Sequence, residues 1–143
     1  MRSVRQALRT GVALLVLAAL WGCAAGTLPT VTSEPDRLAA ARRAMSKREW
    51  TIATELLKTY VQNNVGSKDV DQGIYWLAEC YLQAGDIDEA AAQAMRVLML
   101  STRVNSSRAK ERIRLLRKRL AATPHARSVL ELEELYRELE VLS

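Results

Sequence analysis

The chain has 143 residues, 49% of them hydrophobic, and a formal net charge of +5, which gives room for one modest domain with its own core. Three of its 21 basic residues fall within the first 22 positions and all 16 acids lie beyond them, so the remainder carries +2, a balance that lends no support to a nucleic-acid partner. Six scattered glycines and a single histidine supply no phosphate-cradling loop and no histidine-based ligand cluster.

Arg2, Arg5 and Arg9 precede an uncharged apolar run, Gly11 to Leu20. That run is shorter than the roughly 20 residues a membrane span needs, and it has the outline of a secretory signal. Leu20-Trp21-Gly22-Cys23 follows and resembles the bacterial lipobox, with Trp21 standing where the family has Ala, Ser or Thr. The resemblance implies a signal peptide over 1–22 and acyl chains, palmitate among them, on Cys23 as the only non-protein group. Each buried methylene contributes about 0.8 kcal/mol, so two or more chains hold stably. Ala24, where inner-membrane lipoproteins have Asp, implies an outer-membrane anchor facing the periplasm, with an inner-membrane anchor as the alternative. The other reading of the stretch is a retained anchor helix from Val4 to Ala25. Residues 23–33 read as a short lipidated tether, small, neutral and interrupted by Gly26 and Pro29, so the domain sits close to the bilayer.

Beyond the tether the periodicity is helical throughout. Ser33-Glu34-Pro35-Asp36 predicts a capped helix over 35–46 with Leu38, Ala41 and Met45 on one face. Trp50, Ala53, Leu57 and Tyr60 mark a second helix over 50–63, ended by Asn63, Asn64, Gly66 and Ser67. Ile74, Leu77, Ala78 and Tyr81 mark a third over 69–84, broken at Gly85-Asp86, and Ala90, Ala94 and Val97 a fourth over 87–100. A cap at Ser106-Ser107 predicts a fifth helix over 108–122 with Ala109, Ile113, Leu116 and Leu120 inward. Thr123-Pro124 predicts the start of a sixth, striped by Val129, Leu132, Leu135, Leu139 and Leu142. No run alternates with the period of a strand, so the fold class is all-α.

The segment Arg48-Glu49-Trp50-Thr51-Ile52-Ala53 recurs as Gly85-Asp86-Ile87-Asp88-Glu89-Ala90 at an offset of 37 residues, close to the 34 of a tetratricopeptide repeat (TPR). Residues 75–90, YWLAECYLQAGDIDEA, resemble that repeat, with Leu77 and Ala78 as its large/small pair, Tyr81 as the helix-A aromatic, Gly85 as the turn and Ala90 at the close crossing. Ile74 takes the usual tryptophan place beside Trp76, and Thr102 stands near the position of the closing proline. The first copy matches through Ala41, Trp50, Ala53, Leu57 and Tyr60, with Arg48 at the turn. The wording is similar to periplasmic TPR lipoproteins of the BamD-like and Tol-Pal-associated CpoB-like groups.

The resemblance implies a short right-handed array: two TPR-like hairpins over 34–103 and a C-terminal hairpin over 104–143, a degenerate repeat or cap. One hairpin cannot hide its apolar face alone, and about three stacked units are needed. It also implies a partner groove lined by the first helix of each repeat, through Leu38, Arg42, Met45, Gln72, Tyr75, Glu79 and Leu82. For Tyr75 and Leu82 ordinary core burial is the competing reading.

Residues 103–119 hold eight basic residues against Glu111 alone, while 126–143 hold five acids against two arginines. Either helix five presents a basic surface to anionic lipid, cell wall or an acidic partner, or helices five and six neutralise each other across a solvated edge, which the pattern favours. His125 beside Pro124 reads as exposed or capping, and Cys80 as a small buried hydrophobe. No catalytic residue or metal ligand is assigned, and an enzyme would need a cleft around His125 or Cys80. The functional expectation is a non-catalytic protein-binding scaffold of an envelope assembly: outer-membrane biogenesis, Tol-Pal, secretion or pilus machinery. The alternative is a self-assembling envelope subunit using the basic helix 103–119 and the leucine stripe 129–142. Oligomeric state is left open.

Overall fold

A computed structural model describes Thr30 and residues 33–67, 69–104 and 106–141. The signal peptide 1–22, Cys23, most of the tether and Leu142 lie outside the described residues. Among the described residues the protein is all-helical: α1 (Glu34–Ser46), α2 (Trp50–Asn63), α3 (Val70–Ala84), α4 (Ile87–Val104), α5 (Ser107–Leu120) and α6 (Arg127–Val141). The Ser33 hydroxyl accepts from the Asp36 amide and caps α1, and the Ser106 hydroxyl accepts from the Ala109 amide and caps α5. None of these helices is long and apolar enough to cross a membrane.

Two boundaries differ from the periodicity. Helix α4 continues to Val104, and within it Ser101 and Thr102 turn their hydroxyls back onto the Leu98 and Met99 carbonyls of the preceding turn. Helix α6 begins at Arg127, not at Thr123-Pro124. Residues 121–126 instead make successive turns, in which the amide and hydroxyl of Thr123 both donate to the Leu120 carbonyl.

The 37-residue spacing has a backbone counterpart. After α1, the Arg48 amide donates to Met45 and the Glu49 amide to Ala44. After α3, Gly85 donates to Leu82 and Asp86 to Tyr81, each bond 37 positions on. Both turns place their pivot in the left-handed region, Arg48 at φ 61° and Gly85 at φ 82°, the geometry that returns orphan carbonyls to the chain and reverses its direction. The next helix then starts identically, with Ala53 donating to Glu49 and Ala90 to Asp86. Ala41 and Ala78, and likewise Ala53 and Ala90, are fully buried at equivalent positions.

Each helix from α1 to α4 lies against its successor in the chain. One core, built around Ala41, Ala53, Leu57, Leu77 and Cys80, joins α1, α2 and α3. A larger one, including Tyr60, Val61, Ile74, Val97, Ile113, Leu116 and Leu132, joins the end of α2 to α3, α4, α5 and α6. The last helix breaks the series. Its close backbone approach is to α4 and not to α5, and Ser128 on α6 donates to Asp88 at the start of α4 at 2.6 Å.

Candidate functional site

Helices α3 and α5 are joined by a ladder of polar contacts. Arg108 reaches Asp69 and Asp71, Arg112 binds Asp71 and Gln72, and Arg119 binds Glu79. The partners ascend together along both helices, so α3 and α5 run parallel and side by side. The middle of the ladder is dry: Asp71 is 6% exposed and Arg112 9%. Asp71 Oδ1 and Glu79 Oε1 are buried without a hydrogen-bond partner among the described residues.

This changes the expected fate of the basic helix. Arg108, Arg112 and Arg119 of α5 are neutralised by α3, whereas helix six was the expected partner. Arg117 turns instead to α6, donating to both carboxylate oxygens of Glu133 at 2.8 and 2.5 Å and lying 3.4 Å from the Tyr136 ring centroid. That fork holds the Glu133 carboxyl below the usual carboxylate range.

At the N-terminal ends of α1, α3 and α5 lies a cleft of about 320 Å³, with Glu34, Leu38, Tyr60, Asn64, Gln72 and Arg108 among its walls. The Asn63 and Asn64 amides donate to Glu34 at 2.8 and 3.1 Å, which with Arg37 keeps its carboxyl ionised below the usual range. Asn64 is itself oriented by the Tyr60 carbonyl at 2.7 Å. Burial and the nearby carboxylates of Asp69 and Glu34 push the Tyr60 phenol up. Its ring lies across Gly73, where a Cβ would come within 2.6 Å of it, so the bare helix backbone sets how closely α2 and α3 meet. A fixed carboxylate, carboxamides, a phenol and a guanidinium around an apolar Leu38 suit a polar, extended chain.

The seven predicted groove residues are not one continuous wall. Leu38 and Gln72 line the cleft, but the Gln72 oxygen already accepts from Arg112 and Glu79 is held by Arg119. Arg42 is exposed. Met45 packs half-buried on the smaller core, and Tyr75 and Leu82 pack half-buried on the larger. Of the repeat residues, Leu77, Ala53, Ala78 and Ala90 are buried, while Trp50 and Tyr81 are half-buried beside them. Cys80 is fully buried and its thiol is pushed up to about 11 by burial. His125 is exposed.

Periodicity overlooked Asp71, Arg112, Gly73 and Asn64. A signal was present for the first two: Asp71 extends the Ile74–Ala78 stripe by one turn, and Arg112 falls on the Ala109–Ile113–Leu116 stripe, so each helix puts one charge on its apolar face. Among the described residues no group of three or more His, Cys, Asp or Glu could hold a metal ion. No protein-family model matches this chain, and no curated protein or solved structure matches it either.

Proposed function

We propose that this protein is a lipid-anchored, non-catalytic scaffold of tetratricopeptide-like helical pairs, held at the outer membrane through Cys23 and offering the side built by α1, α3 and α5 to a protein partner of an envelope assembly. The supporting observation is the doubled turn. The same left-handed pivot and the same pair of backbone bonds recur 37 positions apart, which is how a stacked array repeats one hairpin. The parallel course of α3 and α5 fits the same reading, since stacking brings the first helices of successive pairs side by side. An extended peptide or a partner helix suits the mixed lining of the cleft.

Two measurements test the proposal. Cys23→Ser should abolish acylation, leave the precursor uncleaved and release the protein from the outer-membrane fraction; an unchanged mass and location would end the anchor reading. A photo-crosslinker placed at Leu38, which lines the cleft, should capture a discrete envelope protein from membranes, whereas one at Leu130, 55% exposed on α6, should not. Equal capture at both positions would remove the α1/α3/α5 side as the binding face. Self-assembly through the leucine stripe has less support, because Leu132 is fully buried and Leu135 and Leu139 pack on the larger core.

A further inference from the structure

The doubled turn leaves one position unexplained. Gly85 occupies the left-handed pivot after α3 without a side-chain clash, but the equivalent pivot after α1 is Arg48 at φ 61°, a conformation that side-chain-bearing residues rarely adopt. Arg48 is exposed, and so are Arg42, Arg43 and Lys47, which puts four cations within seven residues at the C-terminal end of α1. All 16 acids of the chain lie among the described residues, and none pairs with any of these four. Elsewhere on the surface Lys58 pairs with Glu55, Arg114 with Glu111 and Arg127 with Glu131, and exposed cations without an acid, such as Arg103 and Lys118, stand singly on α4 and α5 and not four together. The carbonyls at a helix C-terminus favour one or two cations, an effect confined to the last turn. They do not call for a fourth at a strained pivot where glycine serves the sister turn.

We propose that Arg42, Arg43, Lys47 and Arg48 form a docking patch that seats the α1–α2 turn on an anionic lipid surface, an inference that rests on the membrane-anchored reading above. The dimensions allow it. The ten residues from Cys23 to Ser33 reach at most about 35 Å, while the 13-residue α1 is about 20 Å long, so its far end can touch the bilayer that holds the lipid. The cleft lies at the opposite end of α1, at Glu34 and Pro35. The cations therefore stand away from that shaped pocket and suit a field of headgroups better than one captured anion. Each cation near an anionic surface strengthens attachment about fivefold. Seated this way, the patch holds the cleft about one helix length above the membrane, open to a partner.

The test uses the full-length, acylated protein carrying Ser46→Cys with an environment-sensitive maleimide dye. Cys80 is buried and stays unlabelled, so a second dye found by mass spectrometry marks a free Cys23. The protein is titrated with phosphatidylcholine vesicles in which about 30% of the lipid is brominated, the bromines carried either by phosphatidylcholine or by phosphatidylglycerol. Quenching of the dye should occur only with the anionic vesicles and should vanish at about 1 M NaCl, where the Debye length is about 3 Å. Arg43→Gln with Lys47→Gln should weaken the anionic response about 25-fold. Arg48→Gly, which relaxes its turn and keeps the fold, should weaken it about fivefold. Equal quenching with both vesicles, or an unchanged response in either variant, overturns the patch. A response to polyglutamate that the anionic vesicles do not elicit gives the cations to an acidic protein and likewise overturns it. A doubly labelled chain that leaves neutral vesicles but stays on anionic ones would lose the anchor and keep the patch.

Discussion

The first two helical pairs and the last two helices solve the same problem with different side chains. Across α1 to α4, six of the nine residues at 0% exposure are alanines, Ala41, Ala53, Ala78, Ala90, Ala91 and Ala94, beside Leu57, Cys80 and Val97. Methyl groups let helix backbones come close, so each pair closes on a short turn with a left-handed pivot. In α5 and α6 a single alanine, Ala109, is buried among the described residues, and the other buried apolar positions are Ile113, Leu116, Leu120, Val129 and Leu132. Larger side chains hold helices apart, and α6 settles on α4 while touching α5 mainly through Arg117, Glu133 and Tyr136. Small residues thus specify which helix pairs with which, whereas bulky ones specify only that a face is buried.

The sharpest way to break this contrast is at the ladder that fastens α5 to α3. Arg112→Leu would leave the buried Asp71 with Arg108 alone, at 3.6 Å, and should cost about 3 kcal/mol in urea unfolding. Adding Asp71→Leu removes that charge and should recover most of the loss. A single-variant cost below about 1 kcal/mol would mean that α5 is held by its leucines alone. Next come the leucines themselves. Leu132→Ala opens a cavity and should cost about 2–5 kcal/mol, while Ala90→Leu, forcing a side chain into a close crossing, should cost about 1–3 kcal/mol. If Ala90→Leu were neutral, the alanine crossings would not be close, and the distinction between the two regions would fail.

Which parts of this were legible beforehand follows from the range of each interaction. Six apolar stripes of helical period and their polar breaks lie within about fifteen residues of one another, so the elements were readable to within a few positions. The turn at Arg48 and Gly85 was readable because the chain states it twice. The Asp71–Arg112 bond spans 41 residues, and nothing local to either residue names the other. Each stripe marked the burial, but only three-dimensional placement chose the partner. For the same reason the stripe of Val129, Leu132 and Leu135 predicted a buried face but not that α4 would be its nearest backbone neighbour. The cleft was least legible: Leu38 and Gln72 were on the expected face, but Tyr60 and Asn64 enter it from the end of the second helix of a pair.

The third comparison sets one turn against its copy. At Arg48 the left-handed backbone costs about 1–2 kcal/mol, and glycine's greater freedom in the unfolded chain offsets about 0.5–1 kcal/mol of any relief. Arg48→Gly should therefore stabilise by about 0.5–1 kcal/mol, raising Tm by a few degrees. Gly85→Ala should move Tm the other way by a similar amount. Two variants shifting Tm in the same direction would show that the turns are not equivalent, and the doubled hairpin would lose its main support.

The smallest effect lies at the Arg117–Glu133 contact between α5 and α6. Arg117 lowers the Glu133 pKa chiefly by hydrogen bonding, so the folded carboxyl holds its proton less tightly than the unfolded one. Stability from this pair is therefore fully present above the ordinary value of 4.5 and is lost as pH falls through the lower folded value. Both side chains are partly solvated, at 25% and 35%, which keeps the contribution to about 0.5–1 kcal/mol. Glu34 and Glu111 are lowered too, by Asn63 and Arg114, so acid unfolding of the native protein alone cannot isolate Glu133. The difference between the native protein and Glu133→Gln can: it should be about 0.5–1 kcal/mol at pH 7 and close to zero at pH 3. The Gln variant keeps the carboxamide oxygen near Arg117 and leaves the guanidinium over Tyr136, so α6 should stay docked on α4. A difference that persists at pH 3 would instead assign Glu133 a packing role, and α6 would then depend on α5 as closely as α2 depends on α1.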